Sequence, residues 1–393
     1  MSNPYRIHSH DYASGIRVVW SEAGDTQSFC ESMAQHANDR DWNLAFVWFS
    51  VNRHDAKALS EQLALAAPEL TFCGCSTSGE ITPSGLQESG LVALLLPSDW
   101  FSSSVCVLPD VVKLGMESIA QHASRTRIDF LQSVNEEDPI FAINMIDGLT
   151  YSEELVTVAL DRGLDGIPLI GGSAGDDLQF ESTWQIHNGK TFTGAAILVL
   201  IQCRLPCQTF SNNNFVPTDF KLVVTEADPE QRKVMEFNAQ PAADAYAAAI
   251  GSTVEELDAG SFASHSVVVK SGGEYYCRSI QQLNDDRSLT FFCAIDYGLV
   301  LTVARSEGMV ASSYAAIDAI EEAIGPIDML FGFDCIYRKL DARHRQTSHR
   351  IEKLYRDSNF VGFNTYGEQY NSMHINQTFT GLAIGHPPSS KKL

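Results

Sequence analysis

The sequence predicts a mixed α/β fold: two related lobes, residues 1–203 and 204–393, each with mixed sheets flanked by helices and linked by an internal pseudo-repeat. Three observations predict it. Residues 187–197 and 374–384 share the pattern H-x-x-x-T-F-T-G-x-A-I, seven matches in eleven positions, and each copy follows a short apolar strand and a glycine-bearing acidic turn. The first half alternates apolar strands with helical segments, as α/β units do. The second half carries a run of strands separated by turn residues, the mark of an antiparallel meander.

In order, residues 16–20 and 44–49 read as strands around a polar helix over 26–40. Ala56–Ala67 is a second helix, stopped by Pro68. Leu70 to Glu80 runs from a strand into a small-residue turn, and Leu91–Leu96 and Ser103–Leu108 are strands around the Asp99-Trp100 loop. Ile140–Ile146 is apolar throughout, which implies cover on both faces. Thr150-x-x-Glu153 reads as a capping box for a helix ending near Gly163. Ile167–Ile170 then enters the turn Gly171-Gly-Ser-Ala-Gly-Asp-Asp177, and Asn188-Gly189 signals a tight hairpin.

In the second lobe Ser211–Asn214 marks a loop, strands 221–225 and 233–237 flank Asp228-Pro229, and a helix runs from Pro241 to Ile250 with Gly251 just past its end. Strands follow at 265–270, 275–280, 289–295 and 299–303. A helix over 306–324 carries Val310, Tyr314, Ile317, Ile320 and Ile324 on one stripe. Met329–Phe333 is a buried strand. Residues 338–356 concentrate seven basic side chains, either a solvated helix face or a docking surface for an acidic partner.

A net charge of −22 argues against nonspecific binding to nucleic acid or anionic membranes. The first residues, Met1–Arg6, lack the apolar stretch of a signal peptide, and no apolar run approaches membrane-spanning length, so a cytoplasmic location is expected. The Pro387–Lys392 tail reads as disordered. Nine scattered cysteines suit a reduced compartment, and neither Cys73-x-Cys75 nor Cys203-x-x-x-Cys207 has the second ligand pair a zinc site needs.

Gly171-x-Ser173-x-Gly175 matches the nucleophile elbow, but no apolar helix follows it and His187 comes too soon across a hairpin to complete a triad. Asp176, Asp177 and Glu368 lie outside any calcium-loop pattern. No phosphate loop or dinucleotide fingerprint is present. No catalytic set emerges, and the chain reads as a ligand-binding protein, not an enzyme. The polar turns at strand ends nominate Ser173, Asp176, Thr365, Tyr366, Gly367, Glu368 and Phe379 as pocket residues. The repeated histidines are either structural corners or ligands.

Gly74–Ile81, Gly171–Asp177, Val234–Gly251, Asp334–Arg338 and Gly362–Glu368, taken in this order, resemble the FIST family through its N-terminal half (1–203) and C-terminal half (204–393). The resemblance implies an intracellular sensor and, through the haem-binding nitric oxide sensing branch, haem b with His374, His187 or His265 as axial ligand to the iron. It implies a sensor histidine kinase as partner, with Arg343, Arg345, Arg350 and Lys353 as contacts, and leaves room for a homodimer. A haem-free sensor of a metabolite such as an amino acid is the alternative, and a hydrolase using Ser173 a third.

Overall fold

The computed structural model describes residues 7–22, 24–135, 137–271 and 273–388; Met1–Arg6 and Ser389–Lys392, read above from composition, lie outside them. The fold is mixed α/β, and one unit recurs in it three times. The first unit comprises β1 (Ile7–Asp11), β2 (Arg17–Ser21), α1 (Thr26–Ala37), β3 (Trp42–Phe49), α2 (Ala56–Ala66), β4 (Phe72–Ser76), a hairpin of β5 (Glu80–Thr82) and β6 (Gly85–Gln87), and β7 (Leu91–Pro97). The second comprises β8 (Phe101–Leu108), α3 (Val111–Leu131), β9 (Ile140–Ile146), α4 (Glu153–Leu164), β10 (Leu169–Ser173), the hairpin β11 (Gln185–His187) and β12 (Lys190–Phe192), and β13 (Ala196–Cys203).

The third unit opens with β14 (Cys207–Asn212) and is then interrupted by an inserted lobe. That lobe holds β15 (Phe215–Asp228), β16 (Lys233–Phe237), β17 (Gln240–Pro241), α5 (Ala242–Ile250), α6 (Ala259–Ser264), β18 (Val267–Ser271), β19 (Glu274–Arg278), β20 (Ile280–Leu283), β21 (Leu289–Phe291) and β22 (Val300–Ser306), and its sheet pairings are antiparallel throughout. The unit resumes with α7 (Met309–Ile324), β23 (Ile327–Cys335), α8 (Ile336–His344), α9 (Ser348–Asp357), β24 (Phe360–Thr365), the hairpin β25 (Glu368–Tyr370) and β26 (Met373–Ile375), and β27 (Phe379–Gly385).

Each unit lays down its strands in one order: β2-β7-β3-β4, β8-β13-β9-β10 and β14-β27-β23-β24. The last two strands of each run parallel across a helical crossover, and the others are antiparallel. That arrangement leaves the outer edge of β4, β10 and β24 open, and an open edge needs cover. A hairpin from another unit supplies it: β11–β12 pairs with β4, β25–β26 with β10, and β5–β6 with β24. The hairpins are thus passed round the three units in a cycle.

The inner faces of the three sheets meet in one core. Alternation sends Leu44, Phe46 and Trp48, then Ile197, Val199 and Ile201, then Met329, Phe331 and Phe333 into it. Trp48 and Phe331 stack there at 5.5 Å between ring centroids. The outer faces pack on α1 and α2, on α3 and α4, and on α7 to α9 in separate clusters. Cover on both faces is why these strands read as continuous apolar runs.

Four local expectations change. The helix α3 was not anticipated: its sequence is polar, and Gly115 breaks its dihedrals at φ 67°, ψ 167°. No capping box forms at Thr150: α4 begins after Ser152, and the Glu153 carboxylate turns to Arg232. Strand β14 runs through Ser211 and Asn212, so the loop begins later than expected. His265 caps the end of α6 and does not open a strand.

Candidate functional site

Three turns of similar sequence carry the chain from each crossover strand into its exported hairpin: Thr77-Ser-Gly-Glu80, Ser173-Ala-Gly-Asp176 and Thr365-Tyr-Gly-Glu368. Backbone hydrogen bonds tie them into a ring. Ser78 N donates to Asn364 O at 3.0 Å and Asn364 N to Gly79 O at 2.7 Å; Ser173 N donates to Gly367 O at 2.8 Å; Gly175 N donates to Ser76 O at 3.2 Å.

The structure brings most of the nominated pocket residues together here, but they serve one another. Asp176 accepts the N–H groups of Phe180, Glu181 and Ser182 at 2.7–3.0 Å and the Tyr366 hydroxyl. Glu368 accepts the Thr365 hydroxyl and both the N–H (3.1 Å) and hydroxyl (2.7 Å) of Thr378. Ser173 Oγ accepts from Gln369 Nε2 at 3.1 Å, so the Gln369 amide stands between it and the His374 imidazole. Phe379 lies apart, on the helix-facing side, against Phe210 and Phe360 with Arg338 over its ring.

Next to this ring, under the N-terminus of α4, is a buried polar junction that the sequence did not disclose. Arg232 from the inserted lobe donates to Glu153 and Glu154 at 2.6 Å each and to the Phe292 carbonyl. His374, on β26, is 2% exposed. Burial pushes its imidazole down to about 4, Arg232 and Arg278 add to this, and Glu154 opposes it, so the ring is neutral. Gln369 Nε2 lies 3.3 Å from His374 Nδ1, and its amide oxygen accepts from Asn144 at 3.4 Å. That arrangement places the imidazole proton on Nε2, which has no partner among the described residues; Arg278 Nε and Ser279 Oγ are also unpaired.

Haem can be tested against this geometry. A neutral imidazole oriented through Nδ1 is a competent donor. Space is the difficulty: a β-carbon at Gly367 would come within 2.5 Å of His374 Cε1 and 2.8 Å of Nε2, so no room exists at the nitrogen for a macrocycle. His187 turns Nδ1 to the Phe72 carbonyl at 2.9 Å, and His265 sits among Arg345, Asp341 and His344. None of the three imidazoles lines the cleft between β14, β19 and the β25–β26 hairpin. The residues as placed do not fit the group.

A true cleft opens on the other side of the same hairpin. About 330 Å³ in volume, it lies between β19 of the inserted lobe, β14 and the β25–β26 hairpin. Its walls are hydroxyl and amide groups of Ser211, Asn213, Asn371, Ser372 and Thr378, the rings of Tyr275, Tyr276 and Tyr370, and the side chains of Met373 and Ile375, with Glu274 as its acid. Neither lysine nor arginine lines it. Alternation along β26 explains the division: Met373 and Ile375 face the cleft while His374 faces the junction.

The basic segment is α8 and α9. Arg338 and Lys339 are buried, Arg338 on Asp334 and Lys339 on the Ser78 carbonyl at 3.0 Å. Arg343 pairs with Glu88, Arg345 with Asp341 and Lys353 with Asp357. Arg350 has no ion-pair partner among the described residues.

Among known proteins, the FIST N domain matches residues 43–240 and the FIST C domain residues 242–371. A stretch of 205 residues is 24% identical to uncharacterized protein MJ1623 of Methanocaldococcus jannaschii, taking in 52% of this chain and 40% of that protein. The chain therefore spans well under two thirds of the curated relative it matches. No helix among the described residues is long and apolar enough to cross a membrane.

Proposed function

The chain belongs to the FIST family of signal-transduction sensor domains, and from that premise we propose that it senses a small polar ligand, neutral or positively charged, in the cleft beside β25–β26. One observation carries the reading: the 330 Å³ cleft sits where the inserted lobe meets a hairpin that belongs to the third unit but completes the sheet of the second. Ligand pockets favour such junctions, where a few polar groups converge on a partly apolar wall. The absence of basic groups from the walls, with Glu274 present, disfavours an anionic ligand. Catalysis has no place in this reading, in which Ser173 is buried and its hydroxyl is engaged by the Gln369 amide.

A cleft occupant that prefers one position of the hairpin shifts the set of arrangements, and a partner that reads the difference receives the signal. The proposed partner is a sensor histidine kinase, contacted through α8–α9, where Arg350 is the cation left over after internal pairing. The test is thermal unfolding of the whole chain against neutral and cationic polar metabolites, amino acids included. A ligand at about 100 times its Kd stabilises by roughly 2.7 kcal/mol. The reading stands if one compound does so and Tyr370→Ala with Asn371→Ala removes the effect. It falls if no compound stabilises, or if the variant responds as the parent does.

Haem with nitric oxide as the signal is the second reading. The neutral His374 with its unpaired Nε2 favours it, and the lack of space at that nitrogen requires the hairpin to move away first. A Soret band in protein purified from haem-supplemented cells, lost on His374→Ala, would establish it. A colourless protein that takes up no added hemin removes it.

A further inference from the structure

The hairpin β5–β6 leaves the first unit to complete the third sheet, and a second cleft, of about 190 Å³, opens where it meets α8 and α9. Lys339 and Ala342 reach it from one face of α8, and Ser348, Ile351 and Tyr355 from one face of α9, at the spacing of helix neighbours. Leu86, on the returning strand of the hairpin, closes the third side. Leu86, Ala342, Ile351 and the Tyr355 ring make much of the wall apolar, and Ser348 is half-buried where α9 begins. The volume is small for a ligand pocket, which limits an occupant to a short molecule.

The acids of this cleft already have their cations: Glu88 pairs with Arg343, and Glu352 with Arg356 at 3.6 Å. Lys339 is the charge left over. It is 7% exposed, donates to the Ser78 carbonyl at 3.0 Å, and has no carboxylate within ion-pair reach among the described residues. A buried lysine ordinarily has such a partner. The more exposed Lys57, Lys113, Lys233 and Lys353 each have one. The ammonium lies against the cleft wall: a β-carbon on Gly79 would come 2.8 Å from Nζ and 3.2 Å from the carbonyl of Gln87, which stands between Leu86 and Glu88 in the chain. Burial lowers the Lys339 pKa and Arg343 adds to this, while Asp177, Glu88 and Glu80 oppose it from a distance. An anion placed on Nζ removes that cost.

We propose that the cleft between α8, α9 and β6 binds a small monocarboxylic acid, its carboxylate on the Lys339 ammonium and its short apolar chain against Leu86, Ala342 and Ile351. One spare cation suits one negative charge. A phosphate dianion would bring a second charge towards Glu88 and Glu352, whose guanidinium partners are already engaged. A cationic ligand would meet the buried ammonium itself. The site is separate from the cleft beside β25–β26, takes a ligand of the opposite charge preference, and stands or falls independently of it. Its occupant would bridge a hairpin of the first unit and two helices of the third, and so hold the exchanged hairpin in place.

The experiment is calorimetric titration of the full chain with sodium butyrate and sodium hexanoate, against butyramide and butylamine at the same ionic strength. The expected result is saturable binding of an acid at a single site, with neither the amide nor the amine binding there. Lys339→Met should weaken the acid by about tenfold or more, the loss of a charge-assisted hydrogen bond. Ser348→Trp, which fills the cleft from α9 and leaves the ammonium untouched, should weaken it as well. The proposal is overturned if neither acid saturates, or if the amide binds as well as the acid. Binding that survives Ser348→Trp lies elsewhere on the chain and overturns it equally, as does a folded Lys339→Met that binds as the parent does. Because the comparison of acid with amide is made on the unaltered chain, a Lys339→Met variant that fails to fold does not rescue the idea.

Discussion

Two carboxylates hold the same place in two of the three central turns. Glu80 and Glu368 are fully buried, and each accepts the hydroxyl of the threonine three residues before it. Burial outweighs those hydrogen bonds and pushes Glu80 up to about 7 and Glu368 up to about 8. A raised acid binds its proton more tightly folded than unfolded, so its contribution is complete below the unfolded value and is lost as pH rises through the folded one. His374 acts in the opposite sense, but only below the ordinary histidine value of 6.5. Above that value stability should fall by up to about 1.4 kcal/mol per pH unit for each of the two carboxylates as pH rises towards 8. Glu368→Gln should flatten that slope, since its amide can place the oxygen at Thr378 while the Thr365 hydroxyl rotates to accept. Urea midpoints at pH 6.5 and 8 decide the matter; a slope unchanged by the substitution would contradict the assignment.

At the scale of elements, the inserted lobe is joined to the start of α4 by an ion triad. Arg232 and Glu153 are each 3% exposed in their side chains, and Glu154 is 23% exposed. Removing one partner of a buried ion pair leaves charge without compensation, at a cost of about 3–5 kcal/mol. Arg232→Ala should cost that much, and hydrogen exchange should rise first in the opening turn of α4 and in β16. Loss below about 1 kcal/mol would mean that water already reaches the triad. The exported hairpin gives a second test. Gly367→Ala drives a β-carbon into His374, and overpacking of this kind costs about 1–3 kcal/mol. His374→Ala should relieve the part of it that His374 causes, the Asn376 amide at 2.8 Å remaining, so a double-mutant cycle should show coupling and not additivity.

These contacts mark what could be read from the chain and what could not. Apolar runs such as Ile140–Ile146, the Asn188-Gly189 turn (φ 42° and 83°) and the stripe of α7 follow local rules and were legible. Helix α3 was missed because Gly115 and a polar composition conceal its stripe. Glu153 read as a cap because a capping box is defined within one segment, whereas Arg232 lies 79 residues away in sequence. The repeat was visible, but its matched letters do not share a structural register. His187 ends the first strand of its hairpin and His374 sits on the second strand of its own, while Phe192 lies in β12 and Phe379 opens β27. The copies therefore could not locate a common site. The cleft was invisible because its walls come from three segments that meet only when a hairpin leaves its own sheet.

For the whole molecule, the consequence is cooperativity. No unit is complete alone: the second sheet ends in β25–β26 from residues 368–375, and the third ends in β5–β6 from residues 80–87. The central core has a face from each sheet, so removing one unit exposes the inner faces of the other two. A chain cut between residues 203 and 204 tests this directly. Residues 1–203 would hold two sheets with β10 unpaired at its edge, a hairpin with no strand to join, and the core face that the third sheet covers open to water. That half alone should lack near-ultraviolet circular dichroism and bind a hydrophobic dye, as a collapsed state without fixed packing does. Expressed together, 1–203 and 204–393 should associate and recover the spectrum of the intact chain, because no pairing crosses the cut covalently. Independent folding of 1–203 to a cooperative, dye-free monomer would show that the exchanged hairpins decorate self-sufficient domains. Recovery only on co-expression would show that the exchange is what makes the three sheets a single folding unit, and hence that a change at one hairpin reaches all of them.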